Sequence, residues 1–112
     1  MPRKARLKST SNVYHVVIRG ANRQQMFEDR KDYLKYLDIL EYYKRECNYS
    51  IYAYCLMSNH VHLLIYTPVT PLEMIFRRIN TRYAVWFNMK YDRTGYLQQG
   101  RYYSEPDRKS VV

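Results

Sequence analysis

Polar and apolar side chains alternate along the segment MSNHVHLLIY, from Met57 to Tyr66, and this alternation predicts a β-strand with one polar face. Side chains two residues apart in a strand lie on the same side, about 6.6 Å from each other. His60 and His62 therefore project together from the polar face. The opposite face carries the apolar residues Val61, Leu63 and Ile65.

The histidine pair is the first candidate for chemistry. Two neutral imidazoles side by side provide half of a site for a divalent metal ion, which needs one or two further ligands from elsewhere in the fold. Equally, two of the three histidines could share a strand face as ordinary surface residues, since two ligands do not complete a site. The motif alone leaves both interpretations open.

The hydrophobic pattern of the whole chain predicts six elements in the order strand, helix, strand, strand, helix, strand. Their predicted bounds are 12–20, 29–47, 49–56, 57–66, 70–91 and 96–103. Asp29 suits the start of the first helix as a cap, and Thr70 followed by Pro71 suits the start of the second. This order is that of the ferredoxin-like split βαβ fold (βαββαβ), an α+β fold in which two helices cover one face of a four-stranded antiparallel sheet.

The predicted fold makes the first and third strands neighbours in the middle of the sheet. If their apolar faces pack under the helices, His15 and Arg19 of the first strand share the uncovered face with His60 and His62 of the third. That face would be polar, basic and open, which suits it to ligand binding.

The net charge of the chain indicates the class of its binding partner. The chain contains 19 Lys plus Arg and 10 Asp plus Glu, which gives a net charge of +9. Such an excess suggests a polyanionic partner, most simply nucleic acid, with an anionic membrane surface as the competing interpretation. The candidate DNA-binding residues are Arg19, Asn22, Arg23, Arg77, Arg78 and Arg82. Any one charge on the second helix could instead belong to a solvated face.

Length and composition indicate one compact domain, since 112 residues are too few for two. We expect a basic N-terminal arm over 1–11, the domain over 12–106 and a tail over 107–112. No stretch approaches the roughly 18 apolar residues of a membrane span, and no apolar signal-peptide core follows Met1, so we expect a cytoplasmic protein without a membrane partner. Cys47 and Cys55 lack metal-type spacing, and we expect buried, reduced thiols.

Three segments stand out together, in this order and spacing: YHVVIRGANRQQMF, YCLMSNHVHLLIY and TGYLQQGRYYSEP. They resemble the single-tyrosine HUH transposases, which include the transposases of single-strand insertion sequences and the REP-associated tyrosine transposases. The resemblance extends over about residues 12–106. It implies a ferredoxin-like catalytic domain, usually a homodimer, that binds hairpin-forming single-stranded DNA. It also implies that His60 and His62 hold Mg²⁺ or Mn²⁺, which polarises the scissile phosphate.

The resemblance further implies a tyrosine nucleophile that keeps the 5′ phosphate as phosphotyrosine and releases a 3′ hydroxyl. In the family this tyrosine lies on a helix after the last strand, in a tract that begins Tyr-Ile, and a later helix supplies the third metal ligand. No Tyr-Ile tract occurs before Val112, so we expect that the nucleophile helix is missing and that no catalytic tyrosine is present. Tyr96, Tyr102 and Tyr103 lie nearby, and packing or DNA contact is the simpler role for them.

Three functions therefore have to be separated. The first is a transposase fold that binds metal and hairpin DNA without cutting it. The second is a competent nickase and ligase that uses an unexpected tyrosine. The third is a non-catalytic nucleic-acid-binding module of the same topology, in which the histidines are incidental.

Overall fold

The computed structural model describes residues 9–106 of the chain. Its strands are β1 (Val13–Arg19), β2 (Ser50–Met57), β3 (His60–Tyr66) and β4 (Tyr103–Pro106), and its helices are α1 (Arg30–Cys47) and α2 (Leu72–Lys90). A 3-10 turn, Ala21–Arg23, follows β1. Of the predicted arm, only residues 9–11 fall within this part of the chain, and the predicted tail, 107–112, lies outside it.

The sheet has the order β2-β3-β1-β4, and all neighbouring strands are antiparallel. This confirms the predicted ferredoxin-like arrangement, with β1 and β3 in the middle. The turn between β2 and β3 lies at Ser58 and Asn59. Both helices pack on one face of the sheet. Buried residues at the centre of this packing include Val16, Ile18, Ile39, Leu40, Leu63, Ile65, Ile75 and Ile79.

Helix α1 begins at a reciprocal cap and ends at a left-handed residue. The side chain of Asp29 accepts a hydrogen bond from the backbone N–H of Asp32, and the Asp32 carboxylate accepts one from the backbone N–H of Asp29. This capping box satisfies amides that the first turn of a helix leaves without partners. Asn48, with φ 53°, ends the helix.

The Asp32 carboxylate also joins α1 to the end of α2. Asp32 is fully buried and accepts hydrogen bonds from Lys90 Nζ at 2.7 Å and from the Tyr91 hydroxyl at 2.6 Å. Burial raises the pKa of Asp32, but these donors and the backbone N–H groups of Glu28 and Asp29 outweigh it. Its net pKa therefore lies below the ordinary value, and the ionised carboxylate holds the two helices together.

The last strand lies later in the chain than predicted. The predicted strand, 96–103, is mostly an irregular segment in which Leu97 is fully buried and Gln98 forms one isolated bridge to Gly20. Tyr102 packs on Phe76 of α2, with ring centroids 5.3 Å apart. Leu97 thus belongs to the core and Tyr102 packs against α2, while the backbone pairing of this segment before β4 consists of the bridge at Gln98 and two adjoining hydrogen bonds at the end of β1. The ladder with β1 is made by β4, which begins where the predicted strand ends.

Two smaller predictions concern the thiols and membrane crossing. Both cysteines are free, and Cys47 is buried as predicted. The prediction of burial is wrong for Cys55, which is exposed because it is the ladder partner of His62 on the face that the helices leave uncovered. Within residues 9–106, neither helix combines the length and apolarity needed to cross a bilayer.

Candidate functional site

The pairing of β1 with β3 gathers polar side chains on the uncovered face of the sheet. The ladder partners are Arg19 with His60, Val17 with His62 and His15 with Leu64. Residues directly opposite each other in an antiparallel pair project to the same side. His15, Arg19, His60 and His62 therefore lie on one face, as the predicted fold required.

The two rings of the His-x-His motif are close enough to act on one ligand. The ring centroids of His60 and His62 lie 4.9 Å apart, with an interplanar angle of 76°. Nδ1 of His60 donates to Oδ1 of Asn59 at 2.8 Å, and Nδ1 of His62 lies 3.2 Å from Nε2 of His15. Neither hydrogen bond uses Nε2 of His60 or His62. This division, with Nδ1 held by the protein and Nε2 left for a ligand, is typical of metal-binding histidines.

The protonation state of His62 suits the same role. Burial lowers the pKa of His62 below its ordinary value of 6.5, and electrostatic interactions with three neighbouring basic side chains lower it further. The neighbours are His60, His15 and Arg19. Because a metal ion binds the neutral imidazole, a lowered pKa favours metal binding at neutral pH.

Strand β4 adds a carboxylate to this face. Glu105 is the ladder partner of His15, and its Oε1 lies 3.6 Å from His15 Nδ1. The hydroxyl of Tyr103 donates to Oε2 of Glu105 at 2.8 Å. Glu105 was not predicted as a site residue, because the last predicted strand ends at residue 103. The only sequence signal was the spacing of two between Tyr103 and Glu105, which places both on one face of a strand.

Arg19, Asn22 and Arg23 lie together at the end of β1, and all three are exposed. Asn22 and Arg23 have positive φ angles of 54° and 62°, so the chain turns sharply after the strand. The backbone N–H of Gly20 donates to the carbonyl of Asn59 at 2.9 Å. The turn therefore adjoins the start of β3, and the structure brings these three candidate DNA-binding residues close to the histidines.

The arginines of α2 lie on the other side of the sheet. Arg77, Arg78 and Arg82 are exposed on the helix, and Arg77 borders an open groove of about 480 Å³ beside α2. Arg78 approaches Glu46 of α1 at 3.8 Å, and the guanidinium of Arg82 lies 4.4 Å from the ring centroid of Tyr42. The structure therefore does not bring these residues together with the histidines.

The three tyrosines near the C-terminal end have different surroundings. Tyr102 packs against α2, and Tyr96 is 87% exposed in the segment before β4. Tyr103 pairs with Val17 and so lies on the same face as the histidines. It is nevertheless two strands away from β3, a separation of about 9 to 10 Å between strand axes.

The donor set for a metal ion is limited. Among residues 9–106, no group of three or more His, Cys, Asp and Glu side chains is placed to hold a metal ion. This part of the chain offers the two nitrogens of His60 and His62. Mg²⁺ and Mn²⁺ bound to proteins keep several waters or substrate oxygens, so two protein ligands fit such an ion, while imidazole suits Ni²⁺ and Zn²⁺ better.

Comparison with known proteins gives one family and one fold. The family described as "Transposase IS200 like" matches residues 8–106. No curated protein matches the chain in sequence. The structure resembles that of a REP-associated tyrosine transposase bound to a REP hairpin, with a TM-score of 0.76 at 15% identity, over 99% of this chain and 66% of that chain.

A second solved structure, a proposed transposase from Deinococcus radiodurans R1, has the same fold. The TM-score is 0.71 at 19% identity, over 98% of this chain and 89% of that chain. At these identities the two likenesses show the fold alone. The chain spans 66% of the length of the REP-hairpin-bound transposase.

Proposed function

Because this chain belongs to the IS200-like transposase family, we propose that it binds hairpin-forming single-stranded DNA in DNA transposition, with the DNA on the uncovered sheet face. The observation that carries the proposal is the gathering of His60, His62 and Arg19 on that face. The net charge of +9 suits a polyanion, and a protein of the same fold is bound to a REP hairpin.

The cations at the end of β1 are the proposed phosphate contacts beside the histidines. Arg19 and Arg23 carry guanidinium groups whose paired donors match phosphate oxygens, and Asn22 offers an amide. The proposed contacts to a more distant part of the DNA are Arg77, Arg78 and Arg82. Two of these already contact side chains of α1, so we expect their replacement to weaken DNA binding less.

We propose that His60 and His62 hold Mg²⁺ or Mn²⁺ through their Nε2 atoms. Such an ion supplies Lewis acidity at a phosphodiester oxygen and orients the phosphate. The hydrogen bond to Asn59 holds the His60 ring, and the lowered pKa of His62 keeps that ring neutral at pH 7. Calorimetry with Ni²⁺ and with Mn²⁺ tests the site. Equal affinity in wild type and in the His60→Ala, His62→Ala double variant would exclude it.

We propose that the 112-residue chain binds hairpin DNA without forming a phosphotyrosine link. An attacking hydroxyl must reach the phosphate in line, within about 3.5 Å. Tyr103 is two strands from β3 and its hydroxyl is bonded to Glu105, while Tyr102 packs against α2. Incubation with a labelled hairpin and Mn²⁺ should give no shifted band on a denaturing gel. A protease-sensitive shifted band that Tyr103→Phe abolishes would show a competent nickase instead.

Fluorescence anisotropy with a labelled single-stranded hairpin tests where the DNA lies. Arg19→Ala should weaken binding, because it removes a cation beside the histidines. Lys31→Ala is the matched control, since it removes one exposed cation from α1 on the covered side of the sheet. Equal losses in the two variants would mean that only net charge matters and that the DNA does not lie on the proposed face.

We also propose that the chain forms a homodimer through β2. This strand lies at one edge of the sheet, and its eight residues, SIYAYCLM, carry no charge. Tyr52, Tyr54 and Met57 are large apolar residues exposed along it. An edge strand without charges readily pairs with another chain. Light scattering should show a dimer that Tyr54→Lys dissociates and the control Tyr96→Lys does not. A monomeric wild type would contradict the proposal.

A further inference from the structure

The third histidine, His15, has no role in the function proposed above, yet it forms a hydrogen bond with His62, one of the proposed metal ligands. Nε2 of His15 lies 3.2 Å from Nδ1 of His62, and the two rings are nearly parallel, with centroids 5.4 Å apart and an interplanar angle of 13°. The sheet register produces this contact. His62 lies opposite Val17, so His15 is its diagonal neighbour, within reach of a long side chain.

A hydrogen bond between two neutral imidazoles can run in either direction, and strand β4 selects one of them. Oε1 of Glu105 lies 3.6 Å from Nδ1 of His15, the ring nitrogen that does not face His62. An ionised carboxylate attracts a proton towards itself, so it favours the tautomer of His15 with hydrogen on Nδ1. Nε2 of His15 is then an acceptor, and Nδ1 of His62 is the donor. The lone pair of His62 lies on Nε2, where a metal ion can bind.

The carboxylate is itself held in place. Tyr103 donates its hydroxyl to Oε2 of Glu105 at 2.8 Å, which leaves Oε1 directed at His15. A chain of polar contacts thus runs across three strands, from β4 through β1 to β3. Its last member is a proposed metal ligand.

We propose that His15 is a positioning residue: with Glu105, it fixes His62 in the tautomer and orientation whose Nε2 accepts a metal ion. This inference rests on the proposed metal-binding role of His60 and His62. Asn59 does the equivalent for His60, because it accepts a hydrogen bond from Nδ1 of that ring. Partners of this kind change metal affinity roughly 10- to 100-fold when they are removed.

Two substitutions of His15 distinguish the effect of its aromatic ring from the effect of its acceptor nitrogen. His15→Phe keeps an aromatic ring beside His62 and removes the acceptor, whereas His15→Gln places an amide oxygen near the position of Nε2. Histidine tautomers in the metal-free protein are read from ¹H–¹⁵N NMR spectra. We expect His62 to carry its proton on Nδ1 in wild type and in His15→Gln, and to lose that preference in His15→Phe.

Metal affinity gives the second measurement, with Ni²⁺ as the probe because imidazole binds it well. Calorimetry should show at least a tenfold weaker affinity for His15→Phe, a smaller loss for Glu105→Gln and an affinity near wild type for His15→Gln. NMR dispersion confirms that each variant is folded. If His15→Phe does not fold, the tautomer of His62 and the Ni²⁺ affinity are measured in Glu105→Gln instead.

The positioning role would be overturned if His15→Phe changed neither the tautomer of His62 nor the Ni²⁺ affinity. If His15→Phe does not fold, the same result in Glu105→Gln would overturn it. The His60→Ala, His62→Ala double variant distinguishes this failure from failure of the metal site itself. If the double variant binds Ni²⁺ as tightly as wild type, the metal site is wrong. If it loses Ni²⁺ while His15→Phe behaves as wild type, only the role of His15 is wrong.

Discussion

The buried carboxylate of Asp32 provides a quantitative test of how the two helices are held on one side of the sheet. It accepts hydrogen bonds from four donors near the start of α1 and the end of α2: the backbone N–H groups of Glu28 and Asp29, Nζ of Lys90 and the hydroxyl of Tyr91. The replacement Asp32→Ala removes all four at once. It leaves the start of α1 without half of its capping box and the end of α2 without its buried anion.

The expected loss is about 3 kcal/mol of the free energy of unfolding. Loss of a cap typically costs about 1 kcal/mol, and loss of a hydrogen bond to a buried charged group about 1.5 to 3 kcal/mol. Lys90 retains Asp29 as an ion-pair partner at 3.0 Å, which limits the loss of stability. For a domain of this size, such a loss lowers the melting temperature by roughly 10 to 15 °C.

Urea denaturation followed by circular dichroism measures the loss, with Asp38→Ala as control. Asp38 is exposed on α1, and its replacement should change stability by less than about 0.5 kcal/mol. The pKa of Asp32 is lowered from 3.8, so its contribution is present above that pH and disappears as the pH falls through the folded-state pKa. The difference between wild type and Asp32→Ala should therefore shrink below pH 4. A loss under 1 kcal/mol at pH 7, or a difference that persists in acid, would refute this account.

Three further outcomes are expected. The buried Tyr36 hydroxyl has no hydrogen-bond partner within residues 9–106, whereas that of Tyr83 donates to the carbonyl of Met26 at 2.6 Å. Thermal denaturation should therefore show Tyr36→Phe to be as stable as wild type or more so, and Tyr83→Phe to be destabilised by about 1 kcal/mol. Affinity for hairpin DNA should fall steeply between 50 and 200 mM salt in an anisotropy titration, since phosphate contacts release counterions; a flat salt dependence would contradict this. Because protons compete with Ni²⁺ for the imidazole of His62, whose pKa is lowered, Ni²⁺ affinity measured by calorimetry should fall as the solution is made acidic, and an affinity that does not change with pH would count against the site.

The histidine face could be predicted from the sequence because few alternatives existed. Alternation in a strand allows only two faces, and the order of the six elements determines which strands are neighbours. The sequence alone therefore assigns His15 and Arg19 to the same side as His60 and His62. The register confirms that placement.

The position of β4 could not be predicted, because its sequence signal is weak and a stronger one precedes it. Leu97 and Tyr102 have strand-like character, but Leu97 is buried in the core and Tyr102 packs against α2. The strand itself is Tyr-Ser-Glu-Pro, a composition with low β propensity that pairing with β1 overrides. Glu105 therefore could not be predicted as a site residue.

The contacts of the α2 arginines also could not be predicted from the sequence. Helical periodicity shows that these residues point away from the core, yet it does not show which side chains of another helix lie beside them. The approach of Arg78 to Glu46 and the stacking of Arg82 on Tyr42 both depend on how α1 and α2 cross. Such contacts between elements far apart in sequence require the tertiary structure.

The edge position of β4 has a consequence for the timing of ligand exchange at the proposed metal site. β4 lies at the sheet edge, whereas β1 and β3 lie in the middle. Edge segments open at a lower free energy than central strands, so the amides of β4 should exchange with deuterium before those of β1 and β3. Each opening would withdraw Glu105 from His15 while His60 and His62 keep their places. If the proposed metal site is correct, the lifetime of its ion would then depend on fraying at the edge of the sheet, although both proposed ligands belong to a central strand.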